Sequence, residues 1–266
     1  MDYLSAFLLG ALQGLTEFLP VSSSGHLVIG HHLLGLANNL TFDIAVHLGT
    51  LLAILIAMRR EVGIILQGLT TSKSAEASAG RRLMLMVVIG TIPAAVIGLL
   101  LKDAISALFE TLICTGLMLV VTGTLLFVAE RLSGGQRMLN SISVTDALLI
   151  GVAQAFALMP GLSRSGTTLS SGLLRGLEKE TAARYAFLLA IPAIAGAAVL
   201  ELPVILTGEI GMPLSVLLFG VVISAITGYL AIRLLLHLVQ RGRLIFFSYY
   251  TWLVGLFTII YSLLNM

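Results

Sequence analysis

Residues Phe18–Gly30 read FLPVSSSGHLVIG, and Glu17 stands immediately before them. A carboxylate, three hydroxyls and an imidazole interrupt two apolar runs. The chain around them is 58% hydrophobic and 11% charged, with a mean hydropathy of +1.06. Soluble domains carry about 25% charged residues, so this chain lacks the polar side chains to cover a water-facing globule. Its apolar stretches are continuous and do not alternate with period two, which predicts membrane helices and not a barrel. The polar block therefore sits inside a membrane segment.

Six stretches are apolar and long enough to span: Phe42–Met58, Leu83–Leu101, Thr111–Ala129, Tyr185–Leu200, Leu214–Leu235 and Leu244–Leu264. Two others, Leu4–Leu36 and Ala147–Leu174, are apolar at their ends and polar in the middle. Basic residues orient the whole. Arg59, Arg60, Lys73, Arg81 and Arg82 fall in one loop, and Arg131 and Arg137 in another. Arg175, Lys179 and Arg184 fall in a third, and Arg233, Arg241 and Arg243 in a fourth. The intervening loops hold Lys102 with Asp103, Glu110, Glu201 and Glu209, with Glu201 and Glu209 reading as solvated charges. The four basic loops are predicted to be cytoplasmic. Both ends of Ala147–Leu174 then lie inside, and both ends of Leu4–Leu36 outside. Each is too short to cross comfortably twice, so each is predicted to dip in and return as a re-entrant helical hairpin. Met1-Asp2 has no basic n-region, and no cleavable signal peptide is expected. Both termini are expected on the periplasmic side.

A shift of 141 residues superposes the two polar blocks. Gly10, Gln13, Ser22, Ser24 and Gly25 meet Gly151, Gln154, Ser163, Ser165 and Gly166, and Leu33, Gly35 and Leu36 meet Leu174, Gly176 and Leu177. Each half is a hairpin followed by three spans. Three is odd, so the second copy is inverted: repeat one over about 4–129, repeat two over about 147–264, joined by the cytoplasmic loop 130–146, all in a single membrane domain. The expected fold is an all-α integral membrane protein whose hairpin tips meet near the midplane, leaving a groove for an apolar chain.

In each tip S-x-S-G precedes a helix, so free N–H groups and a positive dipole end face the site. Arg164 adds a planar cation suited to phosphate oxygens. Gln13 and Glu17, four apart, share a helix face aimed at the first tip. Ser23 and His26 lie three apart, a spacing that suits a nucleophile or base beside a hydroxyl, and which of them attacks stays open. Ser22, Ser163, Ser165 and Thr168 have a plainer reading as helix caps. Asp43 and His47 read more readily as a satisfied buried pair than as pocket lining. His31 and His32 read as lying beyond the site, Trp252 with Tyr249 and Tyr250 as an interface belt, Gln67–Gly80 as a polar linker, and Cys114 as core packing. No nucleic-acid motif and no GxxxxGK[ST] phosphate loop occurs.

The blocks QGLTEFLPVSSSGH (Gln13–His26) and PGLSRSGTT (Pro160–Thr168) resemble the two signature motifs of the undecaprenyl-diphosphate phosphatase family of the bacitracin-resistance type, and length and motif order match along the chain. The resemblance implies hydrolysis of undecaprenyl diphosphate to the monophosphate carrier that serves peptidoglycan and other envelope polymers. It implies a Mg2+ or Ca2+ requirement, a bacterial inner-membrane location with a site open to the periplasm, and a homodimer. The family's acidic motif, E/Q-x-x-x-E, here reads Gln13 and Glu17, which makes Glu17 the metal-linked carboxylate. Ser23, Ser24 and His26 match its catalytic hydroxyl and histidine positions, Ser24 standing where Thr is common. Ser163, Arg164, Ser165 and Thr168 match its phosphate loop. Catalysis is thus expected from Glu17, Ser23, His26 and Arg164, and substrate binding from Gln13, Ser22, Ser24, Gly25, Ser163, Ser165, Gly166 and Thr168. The rival class is a transporter or flippase of a phosphorylated lipid or anion. A carrier needs cations and donors, but no carboxylate beside a nucleophile.

Overall fold

The computed structural model describes residues 1–36, 39–70, 74–108, 111–207 and 212–264. Lys73, Glu110 and Glu209 lie outside them. The described residues form helices joined by short turns. Six helices are long and apolar enough to cross a membrane: α3 (Leu40–Ala57), α5 (Ala75–Leu100), α7 (Leu112–Leu132), α10 (Lys179–Thr207, apolar through Leu200), α11 (Leu214–Gln240) and α12 (Ile245–Leu264). They match the six predicted spans. The protein is an all-α integral membrane protein.

Four shorter helices make the two polar segments: α1 (Tyr3–Phe18) and α2 (Ser23–Leu33), then α8 (Val144–Phe156) and α9 (Arg164–Leu174). At 1.5 Å per residue, each leg reaches about 16–24 Å, short of a roughly 30 Å hydrocarbon core. Local chemistry sets their ends. Asp2 caps α1 by accepting from the Ser5 N–H at 2.8 Å. Leu19, held extended before Pro20, stops it. Ser143 and Asp146 form a capping box at the start of α8. Gly161, at φ +89°, turns the chain between α8 and α9.

The remaining helices, α4 (Arg59–Thr70) and α6 (Lys102–Leu108), fall where loops were predicted. α4 is amphipathic, and its charges disguise it. Gly68 and Gly80 let α4 lie directly on α5: a Cβ on Gly68 would fall 2.7 Å from the Arg81 nitrogen. Ser74 caps α5 by accepting from Ala77 N–H at 3.0 Å, so the helix begins inside the predicted linker. Two charges also move from loop to helix, Arg233 onto α11 and Glu201 onto α10.

Residues that correspond under the 141-residue shift occupy corresponding places. Gly10 of α1 rests on the α11 backbone, where a Cβ would fall 2.7 Å from Gly220 O, and Gly151 of α8 rests on Gly90 of α5. Between α7 and α12, Gly116 and Gly255 face each other's carbonyl oxygens. Small residues permit such close backbone approach, which drives helix association in lipid.

Described members of the four basic segments meet at one end. Arg184 pairs with Glu61, Gln240 donates to Glu180 at 2.8 Å, Arg82 donates to Ile142 O at 3.2 Å, and Arg137 and Arg175 both bind Asp146. Arg137, Arg175 and Arg184 are thus ion-pair partners as well as members of the basic loops. Both ends of the α8–α9 hairpin lie here. At the opposite end Tyr3 donates to Ser215, at the start of α11, and His32 bonds Tyr261, near the end of α12. Both ends of the α1–α2 hairpin lie there, and the two tips meet between. Phe18 packs edge-on against Phe187, centroids 5.7 Å apart, in a core that includes Ile54, Leu169, Leu189 and Ile232.

Candidate functional site

The tips touch through backbone. A Cβ on Gly25 would lie 3.3 Å from Gly161 Cα, and Ser165 donates to Leu19 O at 3.0 Å. Thr122 of α7 braces the second tip, donating to Gly161 O at 3.2 Å and accepting from Ser163 N–H at 2.9 Å. The S-x-S-G registers repeat closely. Ser22 accepts from Gly25 N–H at 3.3 Å and Ser163 from Gly166 N–H at 3.1 Å. Ser22 and Ser24 hydroxyls lie 3.3 Å apart, Ser163 and Ser165 hydroxyls 3.2 Å. Ser22 and Ser163 are therefore the helix caps of the plainer reading. Thr168 spends its hydroxyl on Arg164 O at 2.8 Å.

Glu17 is the centre of the site, 7% exposed. Arg164 of the other tip donates to its Oε1. Ser23 donates to Oε2 at 2.5 Å, and Gln13 Nε2 donates to the same oxygen at 3.0 Å. Gln13 Oε1 is buried with no hydrogen-bond partner among the described residues. By helix geometry the first N–H groups of α2 and α9, at residues 23, 24, 164 and 165, have no intrahelical acceptor. Two of these residues, Ser23 and Arg164, bind Glu17 through their side chains, and helix N-termini offer donors to an anion.

Two expectations change here. Asp43 and His47 are not a pair: Asp43 accepts from His31 at 2.9 Å, and His31 is buried at 2% exposure. His47 Nδ1 donates to Asp43 O at 2.6 Å, which turns Nε2 toward Glu17 Oε2 at 3.7 Å. His47 thus joins the site, and its i,i+4 spacing from Asp43 was the only signal for it. His26 does not touch Glu17 or Ser23. Its Nδ1 meets Ser22 O at 2.8 Å and its Nε2 meets Tyr250 OH at 2.8 Å. Tyr250 accordingly belongs to this seam. Trp252 donates to Val120 O at 3.2 Å, between α12 and α7. Cys114 is half-buried on α7.

An apolar groove of about 750 Å³ runs between α5, α6 and α8. Ile92, Pro93, Val96 and Val152 line it, as do Leu158 and Met159, which precede Pro160 of the second tip in the chain.

Fold and site together define an all-helical membrane protein with a buried carboxylate, hydroxyl and guanidinium at two facing hairpin tips. The family described as Bacitracin resistance protein BacA matches residues 6–257. The undecaprenyl-diphosphatase of Desulforapulum autotrophicum is 44% identical, over 98% of this chain and 98% of its own. That of Syntrophotalea carbinolica is 45% identical over 96% and 97%, and that of Methanosphaera stadtmanae 41% over 98% and 99%. The chain belongs to the BacA bacitracin-resistance family.

Proposed function

We propose that the protein hydrolyses undecaprenyl diphosphate to undecaprenyl phosphate and inorganic phosphate. One observation carries the chemistry: the Ser23 hydroxyl donates to a carboxylate that Arg164 binds from the opposite tip. Ser23 Oγ attacks the terminal phosphorus and passes its proton to Glu17. The bond from phosphorus to the bridging oxygen breaks and the lipid monophosphate leaves. Water then hydrolyses the phosphoserine, releasing phosphate and restoring Ser23. The remaining Arg164 N–H groups and the tip N–H groups stabilise the transferring phosphoryl oxygens. The relatives' names favour hydrolysis over the carrier alternative.

A divalent cation suits the donor set. Among the described residues no three His, Cys, Asp or Glu side chains cluster. Glu17 and the orphaned Gln13 Oε1 would hold the ion, with substrate phosphate oxygens completing its shell as magnesium prefers. When bound, it supplies positive charge to the diphosphate.

The prenyl chain lies in the apolar groove that Met159 helps to line. The hairpin geometry supports an inverted pair of repeats with two re-entrant hairpins. The basic end is cytoplasmic by the positive-inside rule, in the bacterial inner membrane, with both termini and the site opening outward. The test is phosphate release from undecaprenyl or farnesyl diphosphate by the purified chain, with Ser23→Ala and Ser24→Ala alongside. Release should fall at least 10³-fold in Ser23→Ala and less than tenfold in Ser24→Ala. A fully active Ser23→Ala would remove Ser23 as nucleophile, and a folded wild type that releases nothing would overturn the hydrolase.

A further inference from the structure

Ser22 is, among the described residues, the one non-glycine residue with positive φ, at φ 72° and ψ 97°. Side chains rarely adopt such a backbone, and it persists only where the surroundings impose it. Ser22 directly precedes Ser23, so its torsion angles set where the Ser23 hydroxyl points.

The surroundings are specific. Ser22 O accepts twice from one residue: from the His26 backbone N–H at 3.1 Å and from its ring Nδ1 at 2.8 Å. A carbonyl oxygen has no proton to give, so Nδ1 carries the hydrogen. On the neutral ring Nε2 then holds only a lone pair, and the Tyr250 hydroxyl donates to it at 2.8 Å. The Tyr250 ring lies parallel to the imidazole, 9° between planes and 5.6 Å between centroids. Tyr250 thus selects the tautomer in which His26 grips Ser22 O.

The second tip is an internal control. There Ser163 caps α9 with φ −63° and ψ 116°, an unstrained backbone. Thr167 stands in the place of His26, and its buried hydroxyl has no partner among the described residues. The strained tip has the ring and the relaxed tip does not.

We infer that His26, keyed by Tyr250 from α12, is a brace that holds the Ser22 elbow and thereby places the Ser23 hydroxyl on Glu17. His26 and Tyr250 are positioning residues, and neither transfers a proton or a phosphoryl group. The inference rests on Ser23 acting as proposed above, but its structural half stands apart from activity.

Asparagine places an amide N–H close to where Nδ1–H lies, without any imidazole chemistry. His26→Asn should keep activity within tenfold of wild type, whereas His26→Ala should lose at least 100-fold. Tyr250→Phe, which keeps the ring and removes the donor, should lower kcat about tenfold with KM within twofold. Added to His26→Asn, where no Nε2 remains, Tyr250→Phe should have no further effect. Independently, 15N-histidine spectra of the full chain, with the His26 signals identified by their loss in His26→Asn, should show Nδ1 protonated and Nε2 bare, and Tyr250→Phe should shift the Nε2 resonance. Asparagine and alanine variants equally inactive would make the imidazole itself the chemical group and overturn the brace. An Nε2-protonated ring would overturn it even in a protein that releases no phosphate. An Nδ1-protonated ring with an inactive wild type would instead sink only the hydrolase.

Discussion

Glu17 and Arg164 stand 147 residues apart in the chain, one at each hairpin tip, and share a buried ion pair. The same carboxylate receives the Ser23 hydroxyl, so one contact both joins the hairpins and prepares the reacting group. Removing either partner strands a charge where water is scarce, which costs about 3–5 kcal/mol. Glu17→Ala and Arg164→Ala should therefore each lower the thermal midpoint in detergent as well as phosphate release, the latter about 10²–10⁴-fold. Glu17→Gln keeps a hydrogen-bonding group and should recover part of the stability but none of the rate. A Glu17→Gln protein of wild-type rate would remove Glu17 as base.

Among the described residues, Gln13 Oε1 has no partner, and it lies beside the Glu17 carboxylate. Gln13→Glu should convert that orphan into a second anionic ligand. The Mg2+ concentration for half-maximal activity should fall severalfold, and EDTA inhibition should need more chelator. An unchanged or weaker metal dependence would place the cation away from residue 13.

Asp146, fully buried at the basic end, binds Arg137 at 2.5 Å and Arg175 at 2.9 Å. Burial pushes its carboxyl up, but hydrogen bonds from Arg137, Ser143 and Arg175 outweigh that and hold it below its ordinary 3.8. A lowered folded pKa contributes stability in full above 3.8 and loses it as pH falls further. Asp146→Asn should cost about 2 kcal/mol near pH 7, less than a fully buried pair because both arginines are partly exposed. The gap between wild type and variant should hold down to about pH 4 and narrow below it, as read from thermal midpoints. A gap that grew with acid would reverse the sign argued here.

Val96 and Val152 line the apolar groove from α5 and α8. Tryptophan at either position should fill part of its 750 Å³. KM for the long undecaprenyl substrate should then rise about tenfold or more, while farnesyl diphosphate, with a short chain, should be turned over nearly as before. An equal effect on both substrates would move the prenyl chain elsewhere.

The spans, the two hairpins and their caps were legible because each depends on local chemistry: apolar length, a polar middle, and serine before a helix. α4 was not, because its arginines and glutamate read as a loop until α5 supplies the surface that its apolar side rests on. His47 was not, because the same helix spacing permits an Asp43–His47 pair. Only the approach of His31 from α2 takes Asp43 away and frees His47 for Glu17. His26 lies beside the serines in sequence, yet its ring turns toward Tyr250, 224 residues away.

By itself the sequence determined a membrane-helical chain with two matched polar tips and the residue types each tip offers, since composition, helix breaks and the 141-residue register are properties of order along the chain. Tertiary structure decided which of those groups meet. Glu17 receives Ser23, Gln13, Arg164 and His47, while His26 turns to Ser22 and Tyr250, because hydrogen bonds between distant helices compete for the same few donors and acceptors, and only their relative positions in space settle that competition.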